Sequence, residues 1–207
     1  MGGVKRYVGA LFFAIGLMAI ATLVVLNLTF VYRWIVYRYD LEAVTGLPLE
    51  RLMYNYRLLI LYSQLPWIRE LYLPDFAMSR TGVQHFHEVK VIFHVLQVFA
   101  IAFISYLVFN RVKKYDLFFL LNRSANLIFV LFGTLFLGMI LMFDQFFIWF
   151  HLLLFNNDYW RFNAVTDPVI LALPEQLFMT KGMLIAGLLL TFAGVIKIIQ
   201  MARLKPR

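Results

Sequence analysis

The sequence predicts an all-α integral membrane protein: a bundle of four transmembrane helices, with interfacial helices and loops on the extracellular side and both termini cytoplasmic. Three observations predict it. Hydrophobic residues make up 63% of the 207-residue chain and charged residues only 14%, beyond what a soluble globular domain carries. Four apolar stretches reach the roughly 20 residues a helix needs to cross a hydrocarbon core. Basic residues also gather at alternate ends of those stretches, as the retention of Lys and Arg on the cytoplasmic side requires.

The first span is expected at residues 7–31, with Lys5 and Arg6 just before it. Ala19-Ile20-Ala21 has the small residues of a signal-peptide cleavage site, but the apolar run continues past it, which favours an uncleaved anchor. An outward segment, 34–88, follows. It is too apolar for a free loop, and Gly46, Pro48, Pro66 and Pro74 interrupt it too often for a span. Between Pro48 and Pro66, Leu49, Leu52, Met53, Tyr56, Leu59 and Ile60 recur near helical spacing. Glu50, Arg51, Asn55 and Arg57 take other positions, and Pro48 suits a first turn. The stretch reads as a helix lying in the interface. Trp34, Tyr37, Tyr39, Tyr54, Tyr62, Trp67 and Tyr72 fit that depth, either as an aromatic belt or as a cradle for a lipid substrate.

Ser79, Thr81 and Gly82 are suited to cap a helix entering the membrane near Val83, and the second span is expected at 89–109. Arg111, Lys113, Lys114 and Arg123, opposed only by Asp116, form the inner loop, and the third span is expected at 127–148. A second outward segment, 149–181, carries turn chemistry at Asn156-Asn157-Asp158 and a cap and turn at Thr166-Asp167-Pro168 and Leu173-Pro174-Glu175. The fourth span, 182–201, ends at the basic cluster Lys197, Arg203, Lys205 and Arg207. Gly133, Gly138, Gly187 and Gly194 are placed to allow close helix approach. With no internal repeat, low-complexity tract or long linker, residues 1–207 read as one compact domain.

Composition excludes several functions. The chain has no cysteine, hence no disulfide, thiol nucleophile or iron–sulfur cluster. The net charge of +8 follows from topology and anionic inner-leaflet lipid, so no nucleic-acid partner is needed, and no nucleotide-binding loop is present.

Chemistry-bearing residues cluster in the two outward segments. On a helix His85 and Glu88 lie three apart and share a face, whereas His87 points elsewhere; His85 is therefore the better catalytic candidate. His94 lies two turns beyond His87, as a helix-packing residue or half of a haem site. Asp144 and His151, seven apart, would share a face near the outer end of the third span. An ionisable Asp144 in a membrane helix is costly, so it is expected to orient a histidine, bind an amine, or hydrogen-bond across the bundle. Three other readings remain on these residues. A zinc-dependent membrane ester hydrolase would use His85, His87 and His151 with Glu88 or Asp144, although a His-x-His pair on a helix diverges by about 200°. A haem protein would use His94. A non-enzymatic accessory protein would need neither His85 nor His151.

Taken together, Gln84-His85-Phe86-His87-Glu88-Val89-Lys90, then Asp144-Gln145-Phe146-Phe147-Ile148-Trp149-Phe150-His151, then Asn157-Asp158-Tyr159-Trp160-Arg161-Phe162, and finally Thr166-Asp167-Pro168-Val169-Ile170 with Leu173-Pro174-Glu175 resemble the bacterial lipoprotein intramolecular transacylase family. The likeness covers nearly the whole chain in order, spacing and size. It places the family's two histidines on His85 and His151 and makes His87 a variable neighbour; Glu88 stands where many members have Asp.

The resemblance implies an acyl transfer within one substrate. The diacylglyceryl-cysteine of a bacterial lipoprotein gives its sn-2 acyl chain to its own α-amino group, leaving the lyso form. An α-amine with a pKa of about 8 must lose a proton to attack, and a histidine near about 6.5 can take it. His85 is assigned as the base, and His151 as proton donor or oxyanion stabiliser. Glu88, Lys90, Asp144, Asn157, Trp160, Arg161, Asp167, Tyr56, Arg57 and Asn55 are candidate supporting residues. No metal or organic cofactor is implied. The partners are the lipoprotein substrate and membrane lipids, the active form is a monomer, and the site faces the extracellular side of the cell membrane, open sideways to lipid.

Overall fold

The computed structural model describes residues 3–109 and 114–204. Arg111, Lys113, Lys205 and Arg207 lie outside the described residues, as do the side chains of Lys5, Arg6, Lys114 and Asp116. Among the described residues the chain forms nine helices and no strand. They are α1 (Gly3–Leu26), α2 (Thr29–Arg38), α3 (Leu41–Thr45), α4 (Leu49–Gln64), α5 (Arg80–Phe109), α6 (Lys114–Leu141), α7 (Phe143–Leu154), α8 (Val169–Ala172) and α9 (Glu175–Leu204). Four of them, α1, α5, α6 and α9, are long and apolar enough to cross a membrane. The four-span expectation therefore holds, but boundaries move: the second, third and fourth spans begin earlier than expected, at Arg80, Leu117 and Glu175, and the first and third also end earlier. The first span stops at Leu26, where Asn27 and Gln64 join through both side-chain amides at 2.9 and 3.1 Å. The third stops at Leu141, and non-helical backbone at Met142 (φ −151°, ψ 54°) starts α7 as a separate short helix.

The helices divide into two compact units. One takes in Met1–Val25, Leu96–Leu141 and Gly182–Arg207, a bundle of α1, the second part of α5, α6 and most of α9. Phe13, Phe103 and Leu120 are buried at its core, with the Phe13 and Phe103 rings edge to face at 5.1 Å. The buried Ser124 hydroxyl lies 2.8 Å from the carbonyl of Ala10 on α1, and Lys197 on α9 donates to the side-chain oxygen of Asn122 on α6 at 2.7 Å. Close helix approach is found at Gly16, where an added Cβ would meet the Phe103 ring at 2.3 Å. It is not found at Gly133, Gly187 or Gly194, which face open space. Spacing alone does not reveal which side of an apolar helix meets another helix.

The other unit takes in Leu26–Val95 and Met142–Lys181. Its core is the stripe expected on α4: Leu52, Met53, Tyr56, Leu59 and Ile60 are buried against Tyr32, Ile35, Val36, Phe86 and Val169. Pro48 is the residue preceding the helix, where a missing N–H costs nothing. Tyr32 stacks on Tyr56 at 4.0 Å and donates to the Ala172 carbonyl at 3.0 Å, which ties α2, α4 and α8 together. Each such apolar side chain contributes about 1.5–3 kcal/mol on burial. The polar side of α4 is pinned separately, by Arg51 and Asn55 on Asp75. Asp40, in left-handed backbone (φ 48°), turns α2 into α3, and Gly46 (φ 70°) ends α3.

Lys90 belongs to this scaffold. Its buried ammonium donates to the carbonyls of Leu65, at 3.0 Å, and Ile68, and lies 4.3 Å from the centre of the Tyr62 ring. It thereby closes the end of α4, whose last carbonyls have no partner within the helix. Tyr62, expected in the aromatic belt, is accordingly buried, while Trp34, Tyr37, Tyr54, Trp67 and Tyr72 are exposed as expected. Replacing Lys90 with Met, which keeps the stem and removes the donors, is expected to lower stability by about 2 kcal/mol. Thermal unfolding in detergent, read by circular dichroism, checks it; an unchanged midpoint rules the cap out.

Candidate active site

The start of α5 is fixed from outside the helix. The Ser79 hydroxyl accepts from the Gly82 N–H at 3.0 Å, as an N-cap should, and the Ser79 N–H donates to the Asp167 carboxylate at 2.8 Å. The Thr166 hydroxyl holds the other Asp167 oxygen at 2.7 Å. Asp167, 3% exposed, therefore braces the start of α5 and not the helix that follows it in sequence. Gly82 makes the approach possible, because a Cβ there would sit 2.2 Å from Asp167 Oδ1. A single α5 turn then presents His85 inward and His87 outward, the former buried and the latter exposed.

His85 is 6% exposed and lies among rings: Phe155 at 4.7 Å, Phe162 at 5.5 Å and Phe86 at 5.9 Å. Its Nδ1 is buried and has no hydrogen-bond partner among the described residues. His151, 7% exposed, comes from the last turn of α7. Its ring centre is 6.0 Å from that of His85, with Phe147 at 4.2 Å and Trp160 stacked at 4.7 Å.

His151 Nδ1 lies 2.7 Å from the Phe147 carbonyl. A carbonyl only accepts, so Nδ1 carries the proton and Nε2 of the neutral ring carries the lone pair. Burial pushes the His151 pKa below the ordinary histidine value, and the Phe147 carbonyl opposes this less strongly. The result is a neutral imidazole of fixed tautomer, able to accept a proton at Nε2.

One bridge joins the segments that carry the two histidines. Glu88, one turn after His85, accepts from the Asn157 amide at both carboxylate oxygens, 3.0 and 3.1 Å. The Asn157 carbonyl in turn accepts from the Trp160 indole at 3.1 Å, and Trp160 stacks on His151. Glu88, Asn157 and Trp160 are thus brought to the site. Arg161 is at its edge, over the Trp160 ring at 4.8 Å and beside Asp158 at 3.5 Å.

Other expected supporters sit elsewhere. Asp144 is exposed in the first turn of α7, where a carboxylate suits the helix dipole, while His151 on the same short helix is buried; the break at Met142 separates Asp144 from the span that was to bury it. Lys90 closes α4, and Tyr56 and Asn55 belong to the core around α4. Arg57 lines a separate groove, and His94 bonds to the Gln64 backbone. Among the described residues no three His, Asp or Glu side chains converge as metal ligands do. The walls at Phe155 and Phe162 escaped single-residue reasoning, because the chain holds 22 phenylalanines and spacing does not distinguish these two. Lys181, which donates to the Leu26 carbonyl at 3.0 Å and lies over Tyr56 at 5.6 Å, carried no sequence signal.

Residues 7–178 match the family model described as "Lipoprotein intramolecular transacylase Lit". The chain is also similar to the solved structure of the membrane integral lipoprotein intramolecular transacylase Lit from Bacillus cereus, at 27% identity and a TM-score of 0.82, over 97% of this chain and 96% of that one. A variant of that protein with a histidine replaced by alanine matches at 26% identity and a TM-score of 0.74, over 98% and 95% of the two chains. No curated protein sequence gives a significant match.

Proposed function

Since the chain belongs to the lipoprotein intramolecular transacylase Lit family, we propose that His85 and His151 are the groups through which this multi-pass membrane enzyme moves an acyl chain within its lipoprotein substrate. The α-amine of the diacylglyceryl-cysteine attacks the sn-2 ester carbonyl; the C–N bond forms, the ester C–O bond breaks, and the products are an amide and a free glyceryl hydroxyl. The amine proton passes to His151 Nε2 and then to the departing glyceryl oxygen. A ring N–H of His85 stabilises the oxyanion that develops between those events.

The observation that carries this reading is the tautomer of His151: its Nδ1 proton rests on the Phe147 carbonyl, which leaves Nε2 as the base. The base role thereby moves from His85, where the sequence put it, to His151. The aromatic walls support the reading as well. They match acyl chains and keep water, the competing nucleophile, from the ester. Because the two reacting groups belong to one substrate, proximity supplies much of the rate, and two side chains suffice. One chain provides both histidines, so a monomer is active. The positive-inside distribution of Lys and Arg puts residues 34–88 and 149–181, and with them the site, on the extracellular face, where acyl chains stay in the leaflet while ester and amine reach the interface.

The test is mass spectrometry of the N-terminal lipopeptide after incubation of a diacylated lipoprotein with the purified protein and a chelator. Mass does not change on transfer, so fragmentation must locate the chain. Movement from glycerol to nitrogen is expected; release as free acid, or no movement, overturns the proposal. A pH series adds a second result. With the His151 pKa below about 6.5 and the substrate amine near about 8, the rate should rise from pH 6 to about 8, as amine is freed, and then level off. An acid limb at or above pH 7 in the wild-type enzyme that is lost with a primary hydroxyl in place of the amine assigns it to substrate; one that persists assigns it to a histidine of raised pKa and removes the neutral-base role.

A further inference from the structure

Outside the histidine site, a groove of about 250 Å³ lies between α2 and α4, lined by Arg33, Leu49, Glu50, Met53, Tyr54 and Arg57. It shares no residue with the histidine walls. Arg33 and Arg57 are exposed, and among the described residues neither forms an ion pair with a carboxylate. Two arginines thus line one concavity with their charge unpaired by a carboxylate. With Glu50 on the same wall the groove keeps a single net positive charge, which suits a monoanion. Around it α2 exposes Phe30, Trp34 and Tyr37, at 66%, 52% and 62%, one helical turn apart on the side that bears Arg33. Such rings lie at headgroup depth in a bilayer.

We propose that this groove seats the phosphodiester of a glycerophospholipid of the outer leaflet, with Arg33 and Arg57 on the phosphate oxygens and Leu49, Met53 and Tyr54 against the glycerol. The proposal rests on the extracellular placement given above for the segment after the first span, which, with that span ending at Leu26, takes in Arg33 as well as residues 34–88. Planar guanidinium forks match phosphate oxygens in pairs. The volume falls below the range of about 300–1,000 Å³ that holds a whole drug-sized ligand, so it takes a headgroup and leaves the acyl chains in the leaflet. A phosphodiester carries one charge, as the groove does. The diacylglyceryl substrate has no phosphate, so the seat holds a lipid other than the substrate and anchors this unit in the headgroup layer beside the reaction.

Native mass spectrometry of the full-length protein, released from nanodiscs of equal parts phosphatidylglycerol, phosphatidylethanolamine and diacylglycerol, reads the seat without any turnover. Wild type should retain one phospholipid through the groove, whereas any diacylglycerol held at the histidine site should be untouched by substitutions in the groove. Arg33→Gln and Arg57→Gln should each cut retention about tenfold or more, the effect of losing a charge-assisted pair, while Arg33→Lys and Arg57→Lys should keep most of it. Acyl transfer in phospholipid-free detergent should stay within about twofold of wild type in all four, as expected of exposed surface substitutions. A loss of diacylglycerol equal to that of phospholipid in the glutamine variants, or undiminished phospholipid in both, overturns the seat. So does unchanged lipid retention with a raised KM for lipopeptides rich in Asp and Glu, which assigns the groove to the substrate's peptide. Loss of transfer in the wild type with lipid retention intact overturns the transacylase reading alone.

Discussion

Replacing His151 with alanine is expected to reduce acyl transfer by about 10²–10⁴-fold, the range for loss of a positioned general base. The reason is specific to this site. Among the described residues the rings around His151 are His85, at 6.0 Å, and Phe147, Phe150, Phe155 and Trp160, and of these only the imidazole of His85 can take up a proton. His85→Ala should cost about 10²–10³-fold, the effect of removing one oxyanion donor. The double variant should be little worse than the poorer single one, because the two groups act in one transition state. His151→Gln and His85→Gln separate the roles. Glutamine can still donate a hydrogen bond, so it should recover part of the rate at position 85 and none at 151. Initial rates by lipopeptide mass spectrometry, at matched thermal stability, check this; recovery at 151 instead of 85 reverses the assignment.

The second large effect is expected from a residue that touches neither reacting group. Asn157→Ala removes both bonds to Glu88 and frees the loop that carries Trp160, so His151 loses the ring stacked on it at 4.7 Å. Misplacement by about 1 Å commonly costs about 10²-fold in rate, and we expect that loss in kcat with KM within about threefold. Glu88→Gln keeps one acceptor for the Asn157 amide and should retain most activity; Glu88→Ala should behave like Asn157→Ala. Asn157→Asp sets two carboxylates against each other and should be the most damaging. Glu88 and Asn157 are positioning residues, so their loss should also alter the quenching of Trp160 fluorescence by protonated His151. Equal damage from Glu88→Gln and Glu88→Ala, or a wild-type fluorescence titration in Asn157→Ala, rules out the bridge.

Four features of the site differ in how legible they were from sequence. His85 inward and His87 outward were readable because they are local to one helix, and 100° per residue decides them. Glu88 was readable as a neighbour of His85 on that helix, but its partner was not, since Asn157 lies 69 positions away and looks like an ordinary turn residue. Asp167 was read as a cap for the helix that follows it, the usual local role; it instead holds Ser79, 88 positions earlier, at the start of α5. Asp144 misled for the converse reason: its spacing from His151 is helical, but the helix is short and exposes that end.

By itself the sequence determined that this protein is helical and membrane-spanning, because hydropathy over about 20 residues is a transfer free energy that needs no tertiary partner. It also determined the α4 stripe and the inward face of His85, since both repeat with the helix period. The order and spacing of the polar motifs identified the family. Tertiary structure alone decided the pairing of His85 with His151, the Phe147 contact that fixes the His151 tautomer on which its proposed base role rests, and the placing of Lys90, Tyr56 and Arg57 among other partners. Those outcomes depend on which surfaces meet across tens of residues, and hydrogen bonds of similar local strength, about 0.5–1.5 kcal/mol each, favour many such meetings; only their joint packing selects one.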